Sequence, residues 1–205
     1  MRMLHGLGLL VLLASGCRAE LAGSVSDPFD LARERLAKTP HDAELHLTLA
    51  RIAMIRGDWL RAAQYHALVE HGPLAAKRPE EVFRLGLEIA IRSRSWSEAI
   101  RRCQDRLQQA EDLNTRSMLA LLHEAAGEPR AAERQHQLIV RLHPDAVAPL
   151  IDAARFYERA EIPGHLEQAL SFYQRFLARA EEGPDAAAAR AALEINRYDA
   201  AQRPR

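Results

Sequence analysis

This 205-residue chain has only two cysteines, two lysines and few aromatic residues. Aromatic side chains make up 5% of the residues, and no stretch shows the alternation of polar and β-branched residues that indicates a strand. The 28 basic residues balance the 28 acidic ones, so the chain lacks the basic footprint of a nucleic-acid-binding protein. Alanine, leucine, arginine and glutamate dominate instead, and this composition favours helices. The sequence therefore predicts an all-α protein with no nucleic-acid partner.

The first 16 residues differ in character from the rest of the chain. One positive charge at Arg2 precedes an apolar run over residues 4–14 that only His5 interrupts. This run is about half of the roughly 20 residues that a membrane-spanning helix needs. Small residues fill the last places before Cys17. The segment is typical of an export signal rather than of a stable membrane anchor.

Cys17 makes this interpretation more specific. The run Leu13-Ala14-Ser15-Gly16-Cys17 resembles the lipobox of bacterial lipoproteins, with the leucine one place further from the cysteine than the strict pattern prefers. The resemblance implies that the signal is cut before Cys17 and that a lipid on its thiol anchors the chain to a membrane. Because Arg18 follows instead of aspartate, the same resemblance favours the periplasmic face of the outer membrane. The alternative is an ordinary signal peptide that releases a soluble exported protein.

These features predict three parts of the chain. Residues 1–16 form the signal peptide, the small and polar residues 17–26 form a tether, and residues 27–200 form a repeat domain. Lipidation of Cys17 would leave Cys103 without a disulfide partner.

From Asp27 onward one pattern occurs four times. Each copy has a small or polar turn, then an alanine, then an apolar pair. The alanines are Ala62, Ala99, Ala132 and Ala169, with spacings of 37, 33 and 37 residues. A side chain this small allows two helix backbones to approach closely, so each alanine is expected where two helices cross.

The pattern resembles the tetratricopeptide repeat, a unit of about 34 residues that forms two antiparallel helices. In that family a glycine closes the first helix and a proline ends the second. Gly57 and Pro73 match these places in the first unit, and Gly127 and Pro144 match them in the third, whereas Arg94 replaces the glycine of the second. The resemblance implies an all-α, right-handed superhelical stack of about four hairpins with N- and C-terminal capping helices.

Ten helices are predicted: one over about 27–38, four hairpins between 42 and 180, and a last helix over about 184–200. Gly183-Pro184 is expected to end one helix and begin the next. The predicted apolar face of the last helix consists of Ala187, Ala191, Ile195 and Tyr198.

Two helix starts carry clear signals. In Thr39-Pro40-His41-Asp42 we expect Thr39 to cap the helix and Asp42 to lie in its first turn. Ser95 and Glu98 have the spacing of a capping box.

No catalytic motif is present, whether a glycine-rich phosphate loop, a His-Glu-x-x-His helix or a Gly-x-Ser-x-Gly elbow. His66, Cys103 and His136 occupy equivalent places in the first three units, where the family usually has a large packing residue. We expect them to pack between helices; a metal-binding or enzymatic module built on these three positions is the alternative. The prediction is a protein that is not an enzyme and uses no cofactor or metal.

Binding is the favoured role. In tetratricopeptide arrays the first helices of successive units line a concave groove that holds extended or helical peptides. Matching positions one by one gives these groove candidates: Leu47, Arg51, Met54, Arg84, Glu88, Arg92, Ser117, Leu121, Glu124, Ile151, Arg155 and Glu158. The two resemblances together imply a membrane-anchored periplasmic scaffold for a protein or peptide partner. Lipidated proteins of this kind include pilotins that help assemble secretin channels and adaptors that hold cell-wall enzymes.

Overall fold

The computed structural model describes residues 27–202, and all the regular secondary structure in that range is helical. Its helices are α1 (Pro28–Lys38), α2 (Ala43–Ile55), α3 (Trp59–Glu70), α4 (Pro73–Lys77), α5 (Pro79–Arg92), α6 (Trp96–Gln109), α7 (Leu113–Ala125), α8 (Pro129–Leu142), α9 (Ala148–Arg159), α10 (His165–Leu177) and α11 (Pro184–Gln202). The predicted signal peptide, Cys17 and the predicted tether lie outside the described residues. One helix more than predicted is present, because Pro73 begins the short helix α4 instead of simply ending α3.

The helices pair as hairpins in chain order. The four hairpins are α2–α3, α5–α6, α7–α8 and α9–α10, and the second helix of each also packs against the next helix along the stack. α1 packs on α2 at one end, and α11 packs on α10 at the other. The predicted stack of four hairpins with a capping helix at each end is therefore confirmed.

The four repeated alanines explain how closely the hairpins pack. Ala62, Ala99, Ala132 and Ala169 each lie in the second helix of a hairpin and are fully buried. A larger side chain there would have to displace the first helix, because protein interiors leave no spare volume.

Buried apolar side chains form three clusters along the stack. The first cluster joins α1 to α5, the middle cluster joins α5 to α7, and the last cluster joins α8 to α11. Each helix therefore buries its apolar face against neighbours in sequence, as expected for a repeat array.

A polar contact lies where the first and second units meet. Arg102 of α6 donates a hydrogen bond from Nη2 to the carboxylate of Glu70 in α3 at 3.1 Å, and its Nε lies 2.8 Å from the carboxylate of Glu98. Gly86 of α5 sits against these side chains, and a Cβ there would come within 2.5 Å of Cε1 of His66. The glycine thus allows α5 to pass over a buried histidine and a half-buried arginine.

The first predicted helix start is displaced by three residues. Asp42, not Thr39, is the N-cap of α2, and its carboxylate accepts from the backbone N–H groups of Glu44 and Leu45 at 3.0 and 3.2 Å. Thr39 instead ends α1, where its hydroxyl donates to the carbonyl of Arg35. Aspartate caps a helix as well as threonine does, so the local sequence allowed either start.

The predicted capping box in α6 does not form. Ser95 is the N-cap, but its side chain makes no capping bond and its hydroxyl lies 3.0 Å from that of Ser93. The carboxylate of Glu98 accepts instead from Arg101, at 2.7 and 2.9 Å. A charged partner within the same helix competes with the backbone N–H for this carboxylate.

The exposed and buried sides of α11 also differ from the prediction. Pro184 begins the helix as expected, although α10 already ends at Leu177 rather than at Gly183. The side chains that face the core are Ala186, Ala189, Leu193 and Asn196, whereas Ala187, Ala191, Ile195 and Tyr198 are exposed. Both sets have helical spacing, and an alanine-rich segment gives little hydrophobic contrast between its faces. Asn196 is tolerated in the core because its side-chain amide donates hydrogen bonds to the carbonyl of Ala192 and to the carboxylate of Glu158.

No helix among residues 27–202 is both long and apolar enough to span a membrane.

The turns inside the first three hairpins share one backbone conformation, whereas the fourth hairpin has a longer turn, residues 160–164, whose left-handed glycine is the N-cap of α10. Gly57, Gly127 and Gly164 have φ values of 74°, 73° and 72°, and Arg94 has a φ of 56° at the equivalent place. The second unit therefore departs from the repeat pattern in sequence but not in backbone. Arg94 is exposed, and its side chain makes no hydrogen bond or ion pair with residues 27–198. The energetic cost of its left-handed conformation is therefore met by the packing of the rest of the stack.

We predict that Arg94→Gly stabilises the protein and that Gly127→Ala destabilises it. A left-handed conformation costs a residue with a Cβ about 1–2 kcal/mol, and glycine loses roughly 0.5–1 kcal/mol of that advantage through its greater freedom when unfolded. The free energy of unfolding from urea denaturation should therefore rise by up to about 1 kcal/mol in Arg94→Gly and fall by about the same amount in Gly127→Ala. A Cβ at Gly127 would meet nothing within 4 Å, so that variant measures backbone strain alone. A loss of stability in Arg94→Gly would contradict this explanation.

Candidate functional site

The first helices of neighbouring units lie side by side on one surface. Arg51 of α2 pairs with Glu81 of α5, and Arg78 at the start of α5 pairs with Glu44 of α2 at 2.8 Å. We use the name groove for the surface formed by the exposed sides of α2, α5, α7 and α9.

Two predicted groove residues lie in the core instead. Leu47 and Ile151 are 1% and 4% exposed, so their side chains cannot contact a ligand. Leu47 belongs to the first cluster together with Phe29 of α1, and Ile151 belongs to the last cluster together with Leu193 of α11. The two end units of the array are covered by capping helices, and matching positions to a generic repeat does not take this into account.

The polar groove residues of the fourth unit are held within the protein. Arg155 pairs with Asp185 of α11 at 2.9 Å. Glu158 accepts from the hydroxyl of Tyr173 at 2.8 Å and from the amide of Asn196 at 2.9 Å. These bonds tie α9 to α10 and α11, so their main effect is to hold the last helices together.

Glu124 has a similar role between the third and fourth units. Its carboxylate accepts from Nε2 of His136 in α8 at 3.0 Å and from Arg159 in α9 at 2.9 Å. Burial acts to raise the pKa of Glu124, but the hydrogen bonds from His136 and Arg159 outweigh it and hold the pKa below its usual value. Glu124 is thus an ionised link between three helices.

The remaining candidates lie on α2, α5 and α7, in the first three units. Arg84 is exposed and makes no hydrogen bond or ion pair with any residue in 27–202, while Glu88 and Arg92 pair with each other along α5 at 2.9 Å. Met54 is half-buried and packs against the first cluster. Leu121 of α7 is 52% exposed.

A cavity of about 90 Å³ opens beside Leu121. We call it the Leu121 pocket. It lies between α7 and α9 over α8, and its lining consists of Ser117, Leu121, His136, Ile139, Pro149 and Asp152. The pocket is largely apolar, with Asp152 as its one acidic side chain.

The ring of His136 is fixed within this lining. It is buried, stacks on Phe156 with a centroid distance of 4.8 Å, and holds Glu124 through Nε2. The floor of the pocket is therefore rigid before any ligand binds.

Asp152 is a functional candidate that the sequence interpretation missed. Partial burial raises the pKa of its carboxylate, and nearby Asp185 and Glu124 act in the same direction against His136 and Arg155. No residue among 27–198 donates a hydrogen bond to it or forms an ion pair with it. The sequence predicts a groove position for the neighbouring Ile151, although an apolar side chain next to an acidic one in an amphipathic helix is the better core candidate. That contrast was the signal that could have identified Asp152.

His66, Cys103 and His136 have separate environments. Nε2 of His66 lies 2.8 Å from the carbonyl of Val82, and burial lowers its pKa, which favours a neutral ring. Cys103 is buried, and burial raises its pKa to about 11, so little reactive thiolate forms near neutral pH. In the part of the chain that the structure describes, no three or more His, Cys, Asp or Glu side chains come together in a way that could hold a metal ion.

The comparisons with known proteins support the fold. No protein-family model matches the chain, and no curated protein matches it either. Among solved structures, YrrB, described as a TPR protein with an unusual peptide-binding site, is similar over 85% of this chain and 86% of its own, with a TM-score of 0.53 and 15% identity. MamA is similar over 76% of this chain and 85% of its own, with a TM-score of 0.48 and 16% identity. At this identity the likeness to YrrB shows that the chain has a tetratricopeptide-like fold.

Proposed function

We propose that the protein is a membrane-anchored scaffold, not an enzyme, and that it binds a peptide segment of a partner protein in the groove. The observation that carries this proposal is the Leu121 pocket, which lies between the third and fourth units, has a largely apolar lining and is floored by the fixed ring of His136. Repeat arrays of this fold present extended concave surfaces to partners, and YrrB is itself described as having a peptide-binding site.

The size of the Leu121 pocket indicates which side chain of a ligand fits into it. At about 90 Å³, the Leu121 pocket is small, and its size and apolar lining suit one aliphatic side chain rather than a larger group. Burying such a side chain supplies about 1.5–3 kcal/mol, so this single contact contributes strongly to the affinity of a short peptide.

The charges around the pocket indicate what lies beside that side chain. The carboxylate of Asp152 makes no ion pair with residues 27–198, because the nearby Arg155 pairs with Asp185 instead. A basic group on the ligand would supply a partner. Arg84 lies along the same groove in the second unit and is free to meet an acidic group. We therefore favour an extended segment with an aliphatic residue next to lysine or arginine, and an acidic residue towards the second unit.

The anchor rests on the sequence. Leu13-Ala14-Ser15-Gly16-Cys17 supports lipidation of Cys17, and the export signal before it supports a place in the bacterial cell envelope, on the periplasmic face of the outer membrane. A scaffold at this place would serve an envelope assembly, such as a secretin channel or a set of cell-wall enzymes.

Peptide selection tests the groove. A random peptide library displayed on phage and selected on the purified protein should yield segments with an aliphatic residue beside lysine or arginine. The affinity of a selected peptide, measured by fluorescence anisotropy, should fall roughly tenfold or more in Leu121→Asp, because the apolar contact is lost. Asp152→Asn should weaken the preference for the basic neighbour. Leu68→Asp, at an exposed leucine on α3, is the matched control and should bind normally. Equal binding by Leu121→Asp and the control would contradict the proposed site.

Metabolic labelling tests the anchor. Cells that express the full chain and are fed radioactive palmitate should incorporate label into the wild-type protein and not into Cys17→Ser. The wild-type protein should sediment with membranes, while the variant should be released with soluble proteins. No label in either protein would favour a soluble exported protein instead, and equal labelling of both would contradict Cys17 as the lipid attachment site.

A further inference from the structure

Two apolar side chains stand out on the surface of the first hairpin. Among the described residues, Ile55 and Leu60 are the most exposed large apolar side chains, at 80% and 72%. Ile55 ends α2 and Leu60 follows the first residue of α3, so both flank one tight turn. The turn is closed by the backbone N–H groups of Gly57 and Asp58, which donate to the carbonyls of Met54 and Ala53 at 3.0 and 2.9 Å.

The chain enters the folded domain beside this turn. Asp27, the N-cap of α1, pairs through its carboxylate with Arg56 inside the turn. The guanidinium of Arg56 also lies 5.0 Å from the centre of the Phe29 ring at the start of α1. Whatever precedes Asp27 therefore leaves the domain at the edge that carries Ile55 and Leu60.

The distance from Cys17 to this edge is short. Residues 18–26 separate Cys17 from Asp27, so the covalent length of the chain limits the distance between these two residues to about 35 Å. Because neighbouring helices lie roughly 8–10 Å apart, the first hairpin stays much closer to a lipid on Cys17 than the fourth does.

The charges near the turn are balanced. Arg56 pairs with Asp27, and Arg61 pairs with Asp58 at 3.4 Å. The edge is therefore apolar without being strongly cationic, which suits the interfacial region of a bilayer and does not select for anionic lipid.

We infer that the α2–α3 turn is a second membrane contact, in which Ile55 and Leu60 insert among the lipid headgroups while the lipid on Cys17 holds the chain. This inference rests on the proposed anchor. Together the two contacts would fix the direction of the stack, with the first hairpin on the membrane and the fourth pointing away from it.

The equivalent turn of the second unit, which also carries a tryptophan, serves as an internal control for the turn of the first unit. Trp59 lies between Ile55 and Leu60 in sequence, whereas Trp96 lies at the same place one unit further along, among Ser93, Arg94, Ser95 and Ser97. The chain has only two tryptophans, so Trp96→Phe leaves Trp59 as the single reporter and Trp59→Phe leaves Trp96.

The experiment measures how close each tryptophan comes to lipid. The full mature chain, purified from membranes with its lipid, is reconstituted into phosphatidylethanolamine–phosphatidylglycerol vesicles whose acyl chains carry bromine, a short-range quencher of tryptophan fluorescence. Trp59 should be quenched at least about twofold more strongly than Trp96, since interfacial side chains reach only the outer part of the bilayer.

Ile55→Asp with Leu60→Asp should reduce the quenching of Trp59 to the level of Trp96. Leu68→Asp with Ile195→Asp, at two other exposed apolar positions, is the matched control and should leave it unchanged; circular dichroism confirms that each variant folds.

The outcomes separate this inference from the anchor. Equal quenching of Trp59 and Trp96 in a protein that carries lipid would overturn the turn contact and leave the anchor in place. Quenching of Trp59 that persists in the Ile55→Asp, Leu60→Asp variant would also overturn it, and would leave these side chains as candidates for a protein contact. A chain that incorporates no palmitate would overturn the anchor and the inference together.

Discussion

The close approach of two helices at one small residue is the constraint on which the rest of the structure depends. Ala62, Ala99, Ala132 and Ala169 are fully buried in the second helix of each hairpin. Helices this close leave no room for a larger side chain, so each hairpin has one geometry and the hairpins stack in register. The stacking aligns α2, α5, α7 and α9 on one surface, and that alignment creates the groove.

Within the groove, some polar side chains join helices: Arg51 links α2 to α5, Glu124 links α7 to α8 and α9, and Glu158 links α9 to α10 and α11. Arg84 on α5 and Leu121 on α7 instead face solvent. Leu121 lies beside the pocket whose floor His136 holds rigid. A ligand would meet a preorganised surface, which lowers the entropic cost of binding.

The sequence predicted the repeat more fully than it predicted the surface. Marker alanines and turn glycines act through local geometry, so they identified all four hairpins, and Arg94 keeps the left-handed turn although it departs from the pattern. The predicted places of Leu47 and Ile151 are wrong because both side chains are buried in core clusters that include a capping helix. The exposed side of α11 was assigned wrongly because alanine gives little contrast between faces. The Leu121 pocket requires side chains from three helices, and no local pattern in the sequence encodes that combination.

The proposed anchor and the proposed groove together describe a protein that holds a partner at a membrane. In-cell crosslinking tests this central claim most directly. A photoreactive amino acid is introduced separately at Arg84 and Leu121 in the groove and at Leu68 on α3. The account predicts that both groove positions capture the same envelope protein, that Leu68 does not, and that capture is lost in the Cys17→Ser background. Capture of the same protein from Leu68, or none from either groove position, would contradict it.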